Sequence, residues 1–213
     1  MKGGVAVTYR DESKQYGAIG MFIPSEELRS IADRVIRQKP GFVGLNTIIC
    51  PRDLLHYSEQ LFLDFPNYRA MNNNNNVVNT NAFDKFPALF LDQAFESAIP
   101  VVGRSKNERV TRYIKSEYLD QNSFIDVYKL IIPEVNGSGV FGETMASSLF
   151  GDKGTAFTDT FICIGKFESE AEVISTSKYI QTKFVRALLG ILKKTQHNTA
   201  DKWKYVPLQD FTP

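Results

Sequence analysis

The chain has 213 residues, of which 43% are hydrophobic and 23% are charged, so it is long enough to bury a core and to form one domain. This composition excludes a disordered tail and a disulfide-rich miniprotein. The net charge of +1 produces no global field that would by itself indicate a nucleic-acid or membrane partner. Any functional signal must therefore come from local clusters of residues.

The amino-terminal half predicts a hairpin, a helix and a strand before a polar loop. Residues 5–9 and 16–23 are β-rich runs on either side of a polar stretch, which is the pattern of a hairpin. After Ser25, apolar residues recur at helical spacing until Pro40 and Gly41 end the helix. Residues 42–50 predict a strand and residues 53–63 a helix. The five asparagines at 72–76 predict a loop, because their side chains compete with the backbone for hydrogen bonds.

The carboxy-terminal half alternates predicted strands and helices without a regular βαβ repeat. Strands are expected at residues 98–103, 127–132, 157–167 and 203–208, and a short helix at residues 109–118. Ser169 and Glu172 form a capping box that opens the longest predicted helix, which runs to residue 192. This order of elements predicts an α+β fold with a mixed β-sheet core flanked by helices.

The two cysteines and the amino-terminal residues indicate the cellular compartment in which the protein is expected. Cys50 and Cys163 each lie in an apolar run, and we expect two small buried side chains in a reducing compartment rather than a disulfide. Neither a signal peptide nor a run of 18 apolar residues is present, so we predict a cytoplasmic protein with no membrane partner. A predicted strand directly after Met1 favours a domain excised from a longer polypeptide.

No motif in the sequence indicates catalysis by this chain. The Asn/Asp-Pro-Pro-aromatic tetrapeptide of amino-methyltransferases, GxGxxG and the P-loop pattern are all absent. The glycine-rich run at residues 137–139 lacks the spacing of a nucleophile elbow. The two histidines have no cysteine partners at zinc spacing. We therefore predict no catalytic, cofactor-binding or metal-binding residue here.

Basic residues concentrate near the carboxyl end. Residues 178–204 contain seven basic side chains and one acidic side chain, a local net charge of +6. On one continuous helix, Ile180 and Phe184 would lie on the core face, while Lys183 and Arg186 would lie on the opposite face. The following segment, residues 193–199, adds lysines beside Gln, His and Asn side chains that can reach base edges. Trp203 is expected in the core, and a weaker basic stretch covers residues 104–112.

These residues carry a resemblance to a known family. The strings at 178–186, 188–196 and 203–211 resemble the carboxy-terminal specificity region of restriction-modification adenine-specific DNA methyltransferases. The strand string at 128–133, the glycine loop at 136–139 and residues 158–165 agree with it, so the resemblance is dense over about residues 125–211. It implies that residues 1–213 form a target-recognition domain for double-stranded DNA. The S-adenosylmethionine-binding catalytic domain would be a separate part of the same polypeptide.

The predicted DNA contacts follow from the basic segment and the glycine loop. Lys183, Arg186, Lys193 and Lys194 are expected to contact phosphates, and Gln196, His197, Asn198 and Ser138 are candidates for base contacts. Lys183 would equally suit a contact with the methyltransferase domain. Two other functions remain open: a nuclease subunit of a restriction system, and a protein-interaction domain whose basic helix docks an acidic partner.

Overall fold

The computed structural model describes residues 8–14, 23, 25–37 and 40–213. Most of the expected hairpin at residues 5–23 lies outside the described residues. The described α-helices are α1 (Glu26–Ala32), α2 (Glu59–Asp64), α3 (Asn67–Met71), α4 (Ala82–Lys85), α5 (Glu170–Ile180) and α6 (Lys183–Leu192). A π-helical turn at Asp33–Arg37 continues α1, and 3-10 turns lie at Leu45–Ile48, Ser116–Tyr118 and Ala200–Trp203.

The strands of the described residues form two sheets. They are β1 (Ile49–Cys50), β2 (Ala98–Ser105), β3 (Glu108–Lys115), β4 (Tyr128–Pro133), β5 (Leu149–Gly151), β6 (Ala156–Phe157) and β7 (Phe161–Phe167). The first sheet has the antiparallel order β1-β7-β4-β5. The second has the order β3-β2-β6, in which β2 and β6 run parallel. Two sheets flanked by helices confirm the predicted α+β class.

Each sheet packs on its own large hydrophobic cluster, and a smaller third cluster joins Val102 and Phe157 of the second sheet to Ile131 and Phe161 of the first. The inner face of β4 and β7 packs against α5 and α6, and the predicted core residue Trp203 is fully buried in this cluster. The second cluster forms around Tyr57 and Phe86, beneath β2 and β3. The chain passes between the sheets at residues 158–160, so the run predicted as one strand is divided into β6 and β7.

The long basic helix predicted over residues 169–192 is two helices. α5 begins with the predicted capping box, in which the Ser169 side chain accepts the Glu172 amide and the Glu172 carboxylate accepts the Ser169 amide. α6 has its own N-cap, because the Thr182 side chain accepts the Val185 amide. The break shifts the phase of the helical wheel. Ile180 is buried as expected, whereas Phe184 is 41% exposed and the prediction for it was wrong.

Residues 109–118 form a strand rather than the predicted helix. Every residue of β3 pairs with β2, from Ala98 opposite Lys115 to Ser105 opposite Glu108. The two-residue turn between these strands consists of Lys106 and Asn107, both at positive φ, which is the geometry that matches the twist of a hairpin. Cross-strand pairing therefore overrides a helical pattern that was local and weak.

Three other segments differ from prediction because their backbone bonds come from distant residues. Only Ile49–Cys50 of the strand expected at residues 42–50 is extended in a sheet, and the helix expected from residue 53 begins at Glu59. Residues 203–208 form no strand. They dock on residues 43–45 instead, where the Leu45 amide donates to Val206 and the Leu208 amide donates to Val43.

Cys50 and Cys163 are buried as expected, but they are joined in a disulfide. They lie directly opposite each other on β1 and β7, with their Cα atoms 5.3 Å apart. The expectation of two free thiols was wrong because it rested on an assumed reducing compartment and could not foresee the cross-strand register that places the two cysteines opposite each other. Among the described residues, no helix has the length and apolar character needed to cross a membrane.

Candidate nucleic-acid interface

A cleft of about 530 Å³ opens between the β2–β3 hairpin and the carboxyl end of β4. The hairpin contributes Arg104 and Arg109, and the carboxy-terminal segment contributes His197. Arg52 follows β1 and Asp159 precedes β7, its antiparallel neighbour, so both lie at the same end of the first sheet. Five regions that are distant in sequence thus meet in one concave surface that exposes polar and apolar atoms about equally.

Arg104 and Arg109 are directly opposite each other across the hairpin, so both side chains lie on the same face. Arg104 Nη2 donates to the Asn107 carbonyl at 3.0 Å, and Arg109 Nη2 donates to the Ser147 carbonyl at 3.2 Å. The Arg109 guanidinium also lies 5.5 Å from the centre of the Phe161 ring. These partners are neutral, so they orient the two guanidinium groups without compensating their charge.

Asp159 is already engaged within the protein. Its Oδ2 is 3.2 Å from Arg52 Nη2, and its Oδ1 accepts a hydrogen bond of 2.6 Å from the Thr80 hydroxyl. The Thr160 hydroxyl donates to the Thr80 oxygen at 3.1 Å and extends this network. The carboxylate therefore fixes Arg52 at the edge of the cleft, and among the described residues it forms no ion pair with the two hairpin arginines.

His197 is held in the cleft by a buried carboxylate. Its Nδ1 lies 2.8 Å from Oε1 of Glu134, whose side chain is 4% exposed. The carboxy-terminal segment runs beside the end of β4, because the Asn136 amide donates to the Gln196 carbonyl and the Asn198 amide donates to the Glu134 carbonyl, both at 2.7 Å. Because Nδ1 of His197 is engaged by Glu134, Nε2 is the ring nitrogen available to a ligand.

The glycine-rich loop is organised around Glu143. Its carboxylate accepts the amides of Ser138 at 2.8 Å and Gly139 at 3.2 Å, and it pairs with the Lys193 ammonium. The ammonium also donates to the Asn136 carbonyl at 2.8 Å. Burial alone would raise the pKa of Glu143, but Lys193 and the two amides outweigh it and hold that pKa below its usual value.

The structure brings four of the eight predicted contacts together. His197 lines the cleft, and the exposed residues Ser138, Lys194 and Gln196 lie on the two segments that meet beside it. Gly139 packs against the backbone at Lys194 and Thr195, which places the glycine loop directly on the carboxy-terminal segment. We call the surface formed by residues 136–139 and 194–197 the loop–tail surface.

The other four predicted contacts lie elsewhere. The predictions for Lys193 and Asn198 are corrected, because their side chains are buried and bonded inside the protein, Asn198 through its Nδ2 to the Pro133 carbonyl. Arg186 is half-buried and donates to the Gly142 carbonyl at 3.3 Å. Lys183 is exposed at the first turn of α6, about 15 Å along the ten-residue helix axis from the loop–tail surface.

The arginines of the cleft were not among the predicted site residues. The basic stretch at residues 104–112 was a visible signal for Arg104 and Arg109, but its interpretation depended on recognising a hairpin rather than a helix. Arg52 had no local signal, because only the packing of the loops brings it to Asp159.

Comparisons with known proteins add no relative. Neither a scan against models of protein families nor a search of curated proteins finds a match for this chain. Within the described residues, no group of three or more His, Cys, Asp or Glu side chains is arranged to hold a metal ion.

Proposed function

We propose that this chain is a module that binds double-stranded DNA, the target-recognition part of a restriction-modification adenine-specific DNA methyltransferase. The observation that carries the DNA-binding proposal is the cleft that His197, at one end of the loop–tail surface, lines together with Arg104 and Arg109 of the β2–β3 hairpin, which have no ion-pair partner among the described residues. Cationic side chains bind phosphates, and the amide and imidazole groups beside them suit base edges. The methyltransferase assignment rests on the resemblance over about residues 125–211.

The proposed division of labour places chemistry outside this chain. S-adenosylmethionine carries a sulfonium cation, and both carboxylates among the described residues of the cleft are already engaged, Asp159 by Arg52 and Thr80 and Glu134 by His197, so neither is free to receive that cation. The cofactor is therefore assigned to a catalytic domain of the same polypeptide, which is the second proposed partner. This chain would hold the duplex while that domain acts on the adenine.

The proposed compartment is the cytoplasm, where a restriction-modification enzyme meets DNA. Thiols are generally kept reduced there, so the Cys50–Cys163 disulfide counts against this compartment. Alkylation of thiols at cell lysis, followed by mass spectrometry, measures the fractions of thiol and of disulfide.

A salt titration of duplex binding tests the DNA-binding proposal. Fluorescence anisotropy of a labelled duplex should give a log-log slope of about −3 if three or four phosphates are contacted, at roughly −0.9 per phosphate. The matched control is Lys178→Gln, which removes an exposed cation on α5 that does not line the cleft. Binding that is absent at low salt, or equally lowered by the control and by Arg104→Gln, would reject the proposal.

Selectivity distinguishes DNA recognition from the two other functions. Lys194→Ala should weaken binding to all duplexes, whereas Gln196→Ala should relax the preference at one base position. Cleavage of DNA in magnesium that is lost on substitution of a single carboxylate would instead support a nuclease. Competition by heparin but not by DNA would support an acidic protein partner.

A further inference from the structure

We propose that Arg104 and Arg109 act together as a clamp for a single backbone phosphate. This inference rests on the proposed function and deepens it by assigning a phosphodiester to one defined place in the cleft. The sequence predicted no role for these two residues. The site would exist because the hairpin register places them directly opposite each other.

The register of the hairpin places Arg104 and Arg109 side by side. Directly opposed residues in antiparallel strands have Cβ atoms about 5 Å apart, and like charges at such positions are unfavourable. Arg104 and Arg109 occupy one such pair, and both are exposed on the wall of the cleft. A phosphate placed between two guanidinium groups removes the repulsion and accepts a charge-assisted hydrogen bond from each.

Neighbouring arginines differ from this pair in having carboxylate partners. Arg52 pairs with Asp159, and Arg112, on β3, pairs with Asp92. Within the described part of the chain, Arg104 and Arg109 have no carboxylate within ion-pair distance. Two nearby arginines are thus neutralised by the protein itself, while the two that are directly opposed in the hairpin have no such partner in the described part of the chain.

Both guanidinium groups are oriented before any ligand binds. Arg104 is tied to the Asn107 carbonyl at the hairpin turn, and Arg109 to the Ser147 carbonyl and the Phe161 ring. Each of these contacts uses part of the donor fork and leaves other N–H groups for a ligand. Holding the side chains in place lowers the entropy that binding must overcome.

The salt dependence of duplex binding separates one shared phosphate from two independent contacts. Because each neutralised phosphate contributes roughly 0.9 to the slope, the double variant Arg104→Gln/Arg109→Gln should lower the slope by about 0.9 if the phosphate is shared. Two independent phosphates would lower it by about 1.8, and this result would overturn the clamp. An unchanged slope in the double variant would overturn it as well. Lys178→Gln should leave the slope unaltered.

Thermal unfolding of the same variants shows whether weaker DNA binding results only from a less stable fold. Removing one of two opposed like charges should leave the melting temperature equal to or above that of the wild type. A double variant that binds DNA less tightly while melting no earlier supports a ligand-binding role for the pair. A double variant that melts well below the wild type contradicts the argument from charge repulsion.

A second measurement tests the clamp without DNA, so its failure and the failure of the proposed function can be told apart. Inorganic phosphate is titrated into ¹⁵N-labelled protein, and the Nε–H signals of Arg104 and Arg109 are followed by NMR. A shared site predicts that both signals shift with one common dissociation constant, and that Arg104→Gln abolishes the shift of Arg109. Signals that do not move, or that move with different constants, would overturn the clamp even if DNA binds.

Discussion

Lys193 and Glu143 form an ion pair between the carboxyl end of α6 and the glycine-rich loop, and only 3% of the lysine side chain is exposed. The same carboxylate accepts the amides of Ser138 and Gly139. One side chain therefore compensates a buried ammonium and also sets the shape of the loop that carries the candidate contact Ser138.

Glu143→Gln should lower the free energy of unfolding by about 3 kcal/mol, because a buried charge that loses its partner is not compensated by a neutral amide. Urea denaturation measures the change. The double variant Lys193→Met/Glu143→Leu removes both charges and should recover part of the loss. If Glu143→Gln is as stable as the wild type, the ammonium is not buried in solution.

Gly139→Ala should disturb the loop–tail surface more than Gly154→Ala does. Both glycines have positive φ, +86° and +83°, so both substitutions should cost about 1 kcal/mol from the backbone alone. A Cβ atom at Gly139 would also lie 2.7 Å from the Thr195 amide nitrogen, whereas nothing lies within 4 Å at Gly154. We expect weaker DNA binding for Gly139→Ala only, and equal anisotropy curves for the two variants would contradict the contact.

Because of Lys129, we expect the free energy of unfolding to increase at alkaline pH. Its fully buried ammonium donates to the carbonyls of Ile125, Val127 and Asp152, at 3.1, 2.8 and 3.2 Å. Burial lowers its pKa to about 8, although Asp126 and Asp152 act to raise it. The charged form is therefore disfavoured in the folded state, and this penalty is full below pH 8. Deprotonation relieves it, so the free energy of unfolding should rise by about 2 kcal/mol between about pH 7.5 and 9.5.

Lys129→Met is the control for this dependence, because it removes the titrating group and should flatten the profile over the same range. The measurement stops near pH 9.5 because burial raises the pKa of Tyr179 to about 12. Above about pH 10 tyrosine ionises more readily in the unfolded chain, which lowers stability again. A wild-type profile as flat as that of the variant would show that Lys129 keeps its ordinary pKa.

Because of the disulfide, we expect the free energy of unfolding to be lower in the presence of a reductant. The Cys50–Cys163 bond closes a loop across a sequence separation of 113 residues, so its reduction should lower the free energy of unfolding by about 2–4 kcal/mol. Urea denaturation with and without dithiothreitol measures this difference. The double variant Cys50→Ala/Cys163→Ala should not respond to the reductant. A wild type that is equally insensitive would indicate two free thiols in the purified protein.

The elements that the sequence alone predicted depend on local contacts or on strong apolar character. The capping box of Ser169 and Glu172 satisfies backbone amides within one helical turn, so its two residue types suffice to identify the start of α5. Trp203 and the apolar run of β7 have no alternative to burial. The α+β class follows from the order of such segments.

The site was decided by contacts between residues that are distant in sequence. Thr182 divides the predicted basic helix, so the wheel drawn for one helix placed Phe184 incorrectly inside and could not show that Lys193 is buried. Register across the β2–β3 turn sets Arg104 against Arg109, and register between β1 and β7 sets Cys50 against Cys163. Register and burial are properties of the assembled sheets and cores, because each depends on which distant segment supplies the partner. Local pattern identifies the basic residues, and only the tertiary structure decides which of them face solvent.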